Sequence, residues 1–460
     1  MGNALVPIIM FGWIPVVLYL FARFPAQRAV VISIVIAWMF LPLGEFKIPG
    51  IPLYDKMSAT CYGILLATFI FDVERFKTFR LSWIDIPMVV WCLCPFATSL
   101  SNELGIYDGF SSTFSQIVTW GIPYFLGRIY LNDLAGLRQL AIAIFIGGLV
   151  YIPFCLFEMK FFQTVHGIVY GFSPALDWPV VVRYGVFRPI VFMTTGLMVG
   201  VWLMAAALMG LVLWRTKVLK DIWNIPVGFL VGLLCLTLVL SRATGATYLL
   251  FIAIALLLVV KYFRTPILFW ILIGYMGIYL SLGVSGDFPR KEIVQAVATV
   301  SDADRVSSLD FRFMNEEILS AKARQQLVFG WGGFGRNRVY DKGGRDITVT
   351  DSLWIIAFGI HGVVGLVSLF SALLVPVIGF CTRFPTKLWF HPQLAPATAI
   401  ATGLMMYAYD CVVNAMVNPI FTLAAGGIAG IVVSEGQTVT QRVRFNRLPP
   451  QPQQPEEVEA

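Results

Sequence analysis

Apolar positions in this chain fall in long unbroken runs rather than in the alternating pattern of strands or the one-sided stripe of soluble helices. The runs cover 4–21, 29–43, 58–71, 84–100, 113–131, 137–157, 189–213, 225–240, 244–260, 266–282, 352–380, 394–413 and 418–433. Runs of this length with almost no charge read as transmembrane helices. The pattern predicts an all-α, polytopic transmembrane helical bundle of about 12–14 spans.

The connections carry a second pattern. Basic clusters occur at Arg23/Arg28, Arg75/Lys77/Arg80, Arg128/Arg138, Arg215/Lys217/Lys220, Lys261/Arg264, Arg383/Lys387 and Arg442/Arg444/Arg447. These are every second connection, and the intervening ones are acidic, neutral or long. Positive inner loops set orientation, so the alternation places the C-terminus in the cytoplasm and the segment 283–351 outside. That segment holds 20 of the 59 charged residues. Four regions follow: a bundle over 1–282, an extracytoplasmic loop over 283–351, further spans over 352–433, and a Pro/Gln-rich disordered cytoplasmic tail over 434–460.

Composition narrows the classes. Hydrophobic residues make up 58% of the chain and the net charge is +7. The basic residues lie in short clusters between spans, which argues against nucleic acid as a partner. The seven cysteines lie in or near apolar runs without a CxxC pair, so they read as small buried residues, not as a metal site or disulfide framework. No metal-ligand cluster or cofactor motif is present. No basic residue precedes the first apolar run, so no signal peptide is expected. No internal repeat is visible, which counts against a secondary transporter.

Several polar groups need an explanation. Arg242 sits in a polar break, Ser241 to Thr247, between two apolar runs. It is either a turn arginine reaching the interface or a phosphate ligand, since an arginine near lipid depth is costly and its fork of donors fits a phosphate. Arg183 and Arg188 stand just before Pro189, as interface anchors or as ligands. In the loop, Ser307 to Leu327 predicts an amphipathic helix. Ser307 and Asp310 have capping-box spacing, and Phe311, Met314, Ile318 and Ala321 share the face expected to lie on the bundle or membrane. Arg312 on that helix either pairs with Glu316 or meets a phosphate.

Gly330, Gly332 and Gly335 satisfy GxGxxG without the βαβ context of a dinucleotide fold. A tight glycine loop carrying Arg336 and Arg338 fits anion or sugar binding. Asp351, followed by Ser352, opens a span as an N-cap, a catalytic base, or both. Asp410, Asn414 and Asn418 recur every four residues as a polar stripe. His361 lies about 15 Å into its span by helical rise, as a packed residue.

Taken together these residues resemble the O-antigen ligase and polysaccharide polymerase family of bacterial inner membranes. The matching pieces are Tyr124-Phe125-Leu126-Gly127-Arg128, Glu158 after the next span, Ser241-Arg242, and a large outer loop with a helix bearing Arg312. The Gly330 to Gly335 stretch and a span containing Gly359, Gly362 and Gly365 complete the order. Ligases of this family typically carry a histidine near the end of the loop. This chain has Asp351-Ser352 there, which looks more like exopolysaccharide or capsule polymerases.

The resemblance implies a metal-independent, cofactor-free glycosyltransferase. Its donor would be a polyprenyl-pyrophosphate-linked oligosaccharide and its acceptor a glycan or lipid-linked glycan, with export or chain-length proteins as further partners. Asp351 is the expected base, with Arg242 and Arg312 on the pyrophosphate. Arg188, Arg336, Arg338, Ser352, Asp410 and Asn414 are expected around the substrate. The alternatives are a flippase for a lipid-linked glycan and a non-catalytic subunit of an envelope assembly complex.

Overall fold

Most of the apolar runs form helices, because in lipid a helix satisfies each backbone N–H and C=O within its own segment. The computed structural model describes residues 2–50, 52–174, 182–183, 185–299 and 303–434. Of the expected tail only Ser434 is described, and it closes the last helix; the remainder lies outside the described residues.

Among the described residues the architecture is all-α apart from two short antiparallel strand pairs, Val182–Arg183 with Val186–Phe187 and Asp221–Ile222 with Ile225–Pro226. Seven helices among the described residues are long and apolar enough to cross a membrane: Leu5–Arg23, Trp83–Ser101, Leu134–Phe161, Gly196–Arg215, Thr244–Phe263, Ile267–Ser285 and Leu353–Arg383. Ala26–Phe40, Lys56–Phe71, Val227–Leu240 and Pro419–Ser434 are shorter apolar helices. Ala395–Val413 is almost wholly buried. Ile106–Gln116 and Ile122–Tyr130 are joined by one π-helical turn, Ile117–Gly121. The chain is therefore a polytopic helical membrane protein.

Close approach of small residues sets the core. Pro419–Ser434 lies along Ile122–Tyr130. A Cβ at Gly127 would overlap the carbonyl of Leu423, and one at Gly426 the carbonyl of Tyr124. Without a hydrophobic force between spans in lipid, such backbone-to-backbone packing supplies much of the attraction. Next to this contact Arg128 grips Asp85 through two bonds, Nε to Oδ1 at 2.6 Å and a terminal nitrogen to Oδ2 at 3.0 Å. The Tyr124 hydroxyl donates to the same carboxylate at 3.0 Å. Both charged side chains are buried, so either alone would be an uncompensated charge.

The expected span 189–213 starts later than its apolar sequence suggests. The helix begins at Gly196, and residues 188–195 form irregular backbone that is buried through Met193. Two buried side chains make this possible. The Glu158 carboxylate accepts the N–H groups of Val165 at 2.7 Å, Ile190 at 2.7 Å and Val191 at 2.9 Å. The Lys56 ammonium donates to the carbonyls of Trp38 at 3.2 Å and Phe192 at 3.3 Å and sits 4.4 Å from the Trp38 ring centroid. Buried backbone outside a helix requires such partners. Glu158 thus acts as a backbone staple that fixes the segment carrying Arg188.

Candidate functional site

The long polar segment is built around one helix, Ala303–Ala323, hereafter the loop helix. It begins before Ser307, so Ser307 and Asp310 lie inside it and the expected capping box is not formed. Asp310 instead accepts from Arg290 at 2.8 Å, and this ion pair holds its carboxyl below the usual range. Arg290 belongs to a second helix, Arg290–Ala298, which the apolar pattern did not suggest.

The face that docks also differs from expectation. Asn315, Leu319, Ser320 and Ala323 are buried, whereas Phe311, Met314 and Ala321 are exposed. The reason is polar satisfaction: the Asn315 side chain accepts the Val349 N–H at 2.8 Å and donates to the Phe311 carbonyl at 2.8 Å. A buried amide with both ends bonded is no obstacle to packing.

That docking aims Glu316 and Arg312 at the start of the Leu353–Arg383 helix. Glu316 does not pair with Arg312 four residues before it. Its carboxylate accepts from Ser352 at 2.7 Å, Tyr279 at 2.9 Å and Trp354 at 3.0 Å. Burial pushes its carboxyl above the usual range, and these donors together with the Arg312 charge oppose the rise.

Arg312 turns to Asp351, Nε to Oδ2 at 3.8 Å, with the two side chains 32% and 36% exposed. Exposed pairs of this kind are worth about 0.2–1 kcal/mol, so a ligand phosphate can displace the contact at small cost. The N-cap position belongs to Ser352, not Asp351, and the Ser352 hydroxyl is spent on Glu316 instead of its own helix.

The N–H of Leu353 is taken by the carbonyl of Asn414 at 3.2 Å, so the end of Ala395–Val413 caps the start of Leu353–Arg383. The Asn414 side chain donates to Asp410 Oδ1 at 2.8 Å. Asp410 is buried, and its Oδ2 has no hydrogen-bond partner among the described residues. Asn418 does not continue a helical stripe; it stands before the next helix, where its side chain accepts the Ile420 N–H at 3.0 Å. Arg312, Asp351, Ser352, Asp410 and Asn414 therefore meet at one end of the bundle.

The start of the glycine stretch packs into a break in a long helix. The Leu353–Arg383 helix breaks at Gly362, where φ is 64° and ψ −162°. The segment before it is spliced into the gap. Val363 and Val364 donate to the carbonyls of Leu327 at 2.8 Å and Val328 at 3.2 Å, while Trp331 and Gly332 donate to Gly359 and Ile360, each at 2.9 Å. A Cβ at Gly330 would stand 2.5 Å from the Ile360 carbonyl carbon, and one at Gly362 would overlap the Val328 carbonyl. Asn102 ties the Gly330 carbonyl at 2.7 Å, and Thr98 joins Phe329 at 2.7 Å and the packed ring of His361 at 3.2 Å.

Arg336 donates to the Trp331 carbonyl at 3.3 Å and lies 3.8 Å from Asp108. Arg338 bonds Asp346 at 2.5 Å and Thr350 at 3.3 Å. Both brace the loop.

Arg242 and Arg188 sit at another helix end. Arg242 is exposed in a left-handed turn, φ 55°, between Val227–Leu240 and Thr244–Phe263. Its neighbour Ala243 packs on Gly200, and the stem of the buried Arg188 packs on Gly196 one turn earlier. The two cations thus flank the first turns of Gly196–Arg215. The side chain of Arg183 lies outside the described residues.

Sequence reasoning missed Tyr279 and Trp354, which sit in apolar runs and gave no sign of a shared acceptor. Glu316 was visible only as a helix-spacing partner of Arg312. Among the described residues, no three His, Cys, Asp or Glu side chains converge as a metal site would require. Compared with models of known protein families the chain matches none, and no curated protein is significantly similar to it.

Proposed function

We propose that this protein is a glycosyltransferase that joins polyprenyl-pyrophosphate-linked glycan units at the extracytoplasmic face of the bacterial inner membrane, as a polymerase or ligase. The observation that carries this reading is the Arg312–Asp351 pair at the mouth of the Leu353–Arg383 helix. An arginine with free donors beside a partly exposed carboxylate is the minimum that such a transfer needs. The bond between the anomeric carbon and the phosphate oxygen breaks, and the pyrophosphate leaves with the electron pair beside Arg312. The acceptor hydroxyl oxygen forms the new bond, and its proton passes to Asp351. A guanidinium matches phosphate geometry bidentately, which suits it to hold the departing charge.

A deletion strain tests the reading. Long glycan chains should be lost while single lipid-linked units accumulate on the outer leaflet. Accumulation on the inner leaflet would identify a flippase instead. Orientation has its own check: a cysteine introduced at Asp341 should react with a membrane-impermeant maleimide in spheroplasts, and one at Gln453 should not. The reverse labelling would remove the site from the compartment this chemistry requires.

A further inference from the structure

The connection between the helices Gly196–Arg215 and Val227–Leu240 is a small built structure of its own. Asp221–Ile222 pairs with Ile225–Pro226, Asp221 opposite Pro226 and Ile222 opposite Ile225, so Trp223 and Asn224 alone form the turn. Both are left-handed, with φ of 53° and 61°. A two-residue turn with both φ values positive favours Asn, Asp or Gly at each place. Asn224 fits that demand and Trp223 does not. The ring is 60% exposed, so core packing does not explain it either.

Cations surround this turn. Arg215, Lys217 and Lys220 are all exposed, and Asp221 is the only acid from Trp214 to Leu240. None of the three cations has an ion pair among the described residues. The Arg215 guanidinium lies 5.5 Å from the ring centroid of Trp214, and that ring packs on Gly228 at the start of the next helix. The Val227 N–H donates to the Lys220 carbonyl at 2.9 Å, which ties the basic stretch to the same helix.

The helix that follows decides what these groups meet. Val227, Leu230, Val231, Leu234 and Leu238 are buried against the bundle. Phe229, Leu236 and Val239 are exposed, and a Cβ at Gly232 would meet nothing within 4 Å. These four positions fall three or four residues apart, on one uncharged face. In a membrane protein such a face lies against acyl chains. Exposed Ile225 and Trp223 extend it onto the turn, where the cations begin. An acidic soluble protein would match the cations but not the apolar stripe that continues from them. A lipid with an anionic headgroup matches both. An indole suits the boundary between the two, because its body is apolar and its N–H is polar.

We infer that this hairpin and its three cations form a binding surface for anionic phospholipid headgroups, with the Trp223 ring set between headgroups and acyl chains. The surface is independent of the transfer chemistry proposed above.

The test places a benzophenone amino acid at Trp223 of the full-length protein, reconstituted in vesicles of phosphatidylethanolamine with a minority of phosphatidylglycerol. After irradiation the intact protein is weighed by mass spectrometry, which separates the two lipid adducts. The same probe at Ile225 covers the case in which replacing Trp223 disturbs the turn. Phosphatidylglycerol should be captured at least about threefold above its share of the bilayer, since each lysine near an anionic surface contributes to the attraction. In the double variant Lys217→Asn/Lys220→Gln the excess should shrink towards that share. Asn is used at 217 because it tolerates the left-handed φ of 59° there. High salt on the unsubstituted lysines gives the same readout without a folding risk, because screening weakens exposed charges. Absence of any phospholipid adduct at 223 and 225 overturns the proposal and points to water or a protein partner. Adducts in simple proportion to bilayer composition overturn headgroup recognition, and an excess that survives both neutralisation and high salt overturns the role of these cations.

Discussion

Asp351→Asn should reduce glycan transfer by roughly 10²–10⁴-fold, the usual scale for loss of a general base, with membrane abundance near wild type. The separation of the two effects follows from the local geometry. Asp351 does not occupy the N-cap position, its carboxylate is 36% exposed, and its ion pair with Arg312 is long at 3.8 Å. Removing its charge therefore costs about 0–1 kcal/mol of stability. Arg312→Lys is the companion variant. It keeps a cation but loses the planar fork, so polymer yield should fall while folding is unchanged. Quantifying polymer length and yield against immunoblotted protein checks both. Full polymer from Asp351→Asn would end the catalytic assignment of this residue.

Gly362→Ala should instead act on the protein itself, with little full-length product in the membrane. At φ 64° and ψ −162° the backbone occupies a region essentially reserved for glycine, which costs other residues about 1–3 kcal/mol. The new Cβ would also overlap the Val328 carbonyl and push the 327–332 segment out of the helix break. The N–H groups of Val363 and Val364 and the carbonyls of Gly359 and Ile360 would then lose their partners. A buried group left unsatisfied costs about 1–3 kcal/mol, and four are at stake. Trypsin cleavage at Lys322 or Arg324 in any surviving protein should rise. Gly274→Ala is the control, since a Cβ there meets nothing within 4 Å. Equal abundance of the two variants would show that the splice contributes little to stability.

Long apolar runs were legible because a span in lipid tolerates almost no charge. The runs 394–413 and 418–433 meet the helices Ala395–Val413 and Pro419–Ser434 within a residue at each end. The run 189–213 misled because hydropathy reports burial, not backbone shape. Pro189 to Phe192 are buried and apolar, yet their peptide groups are bonded by Glu158 and Lys56 rather than by a helix.

The loop helix was legible as a helix, but its docking face was not. Hydrophobicity favoured Phe311 and Met314, while the face that packs includes Asn315, whose amide is satisfied by residues far along the chain or one turn away. Arg312 and Asp351 stood out by charge and position. Their pairing, and the diversion of Glu316 to Tyr279, Ser352 and Trp354, depends on contacts between segments distant in sequence. No local pattern encodes those.

The break at Gly362 also sets the terms on which this loop can be transplanted. Between its neighbouring spans the polar segment looks like a cassette, a stretch of chain that could be exchanged for another protein's. Its 327–332 stretch, however, completes someone else's hydrogen bonds: Leu327, Val328, Trp331 and Gly332 fill the gap in a span, and Thr98 and Asn102 at the end of an earlier span hold the carbonyls of Phe329 and Gly330. A graft cut at 283 and 351 would arrive without its sockets. The smallest transferable unit includes the Leu353–Arg383 helix through Val364 and the Thr98–Asn102 end of the earlier span, so exchange of this segment must carry pieces of the helical bundle with it.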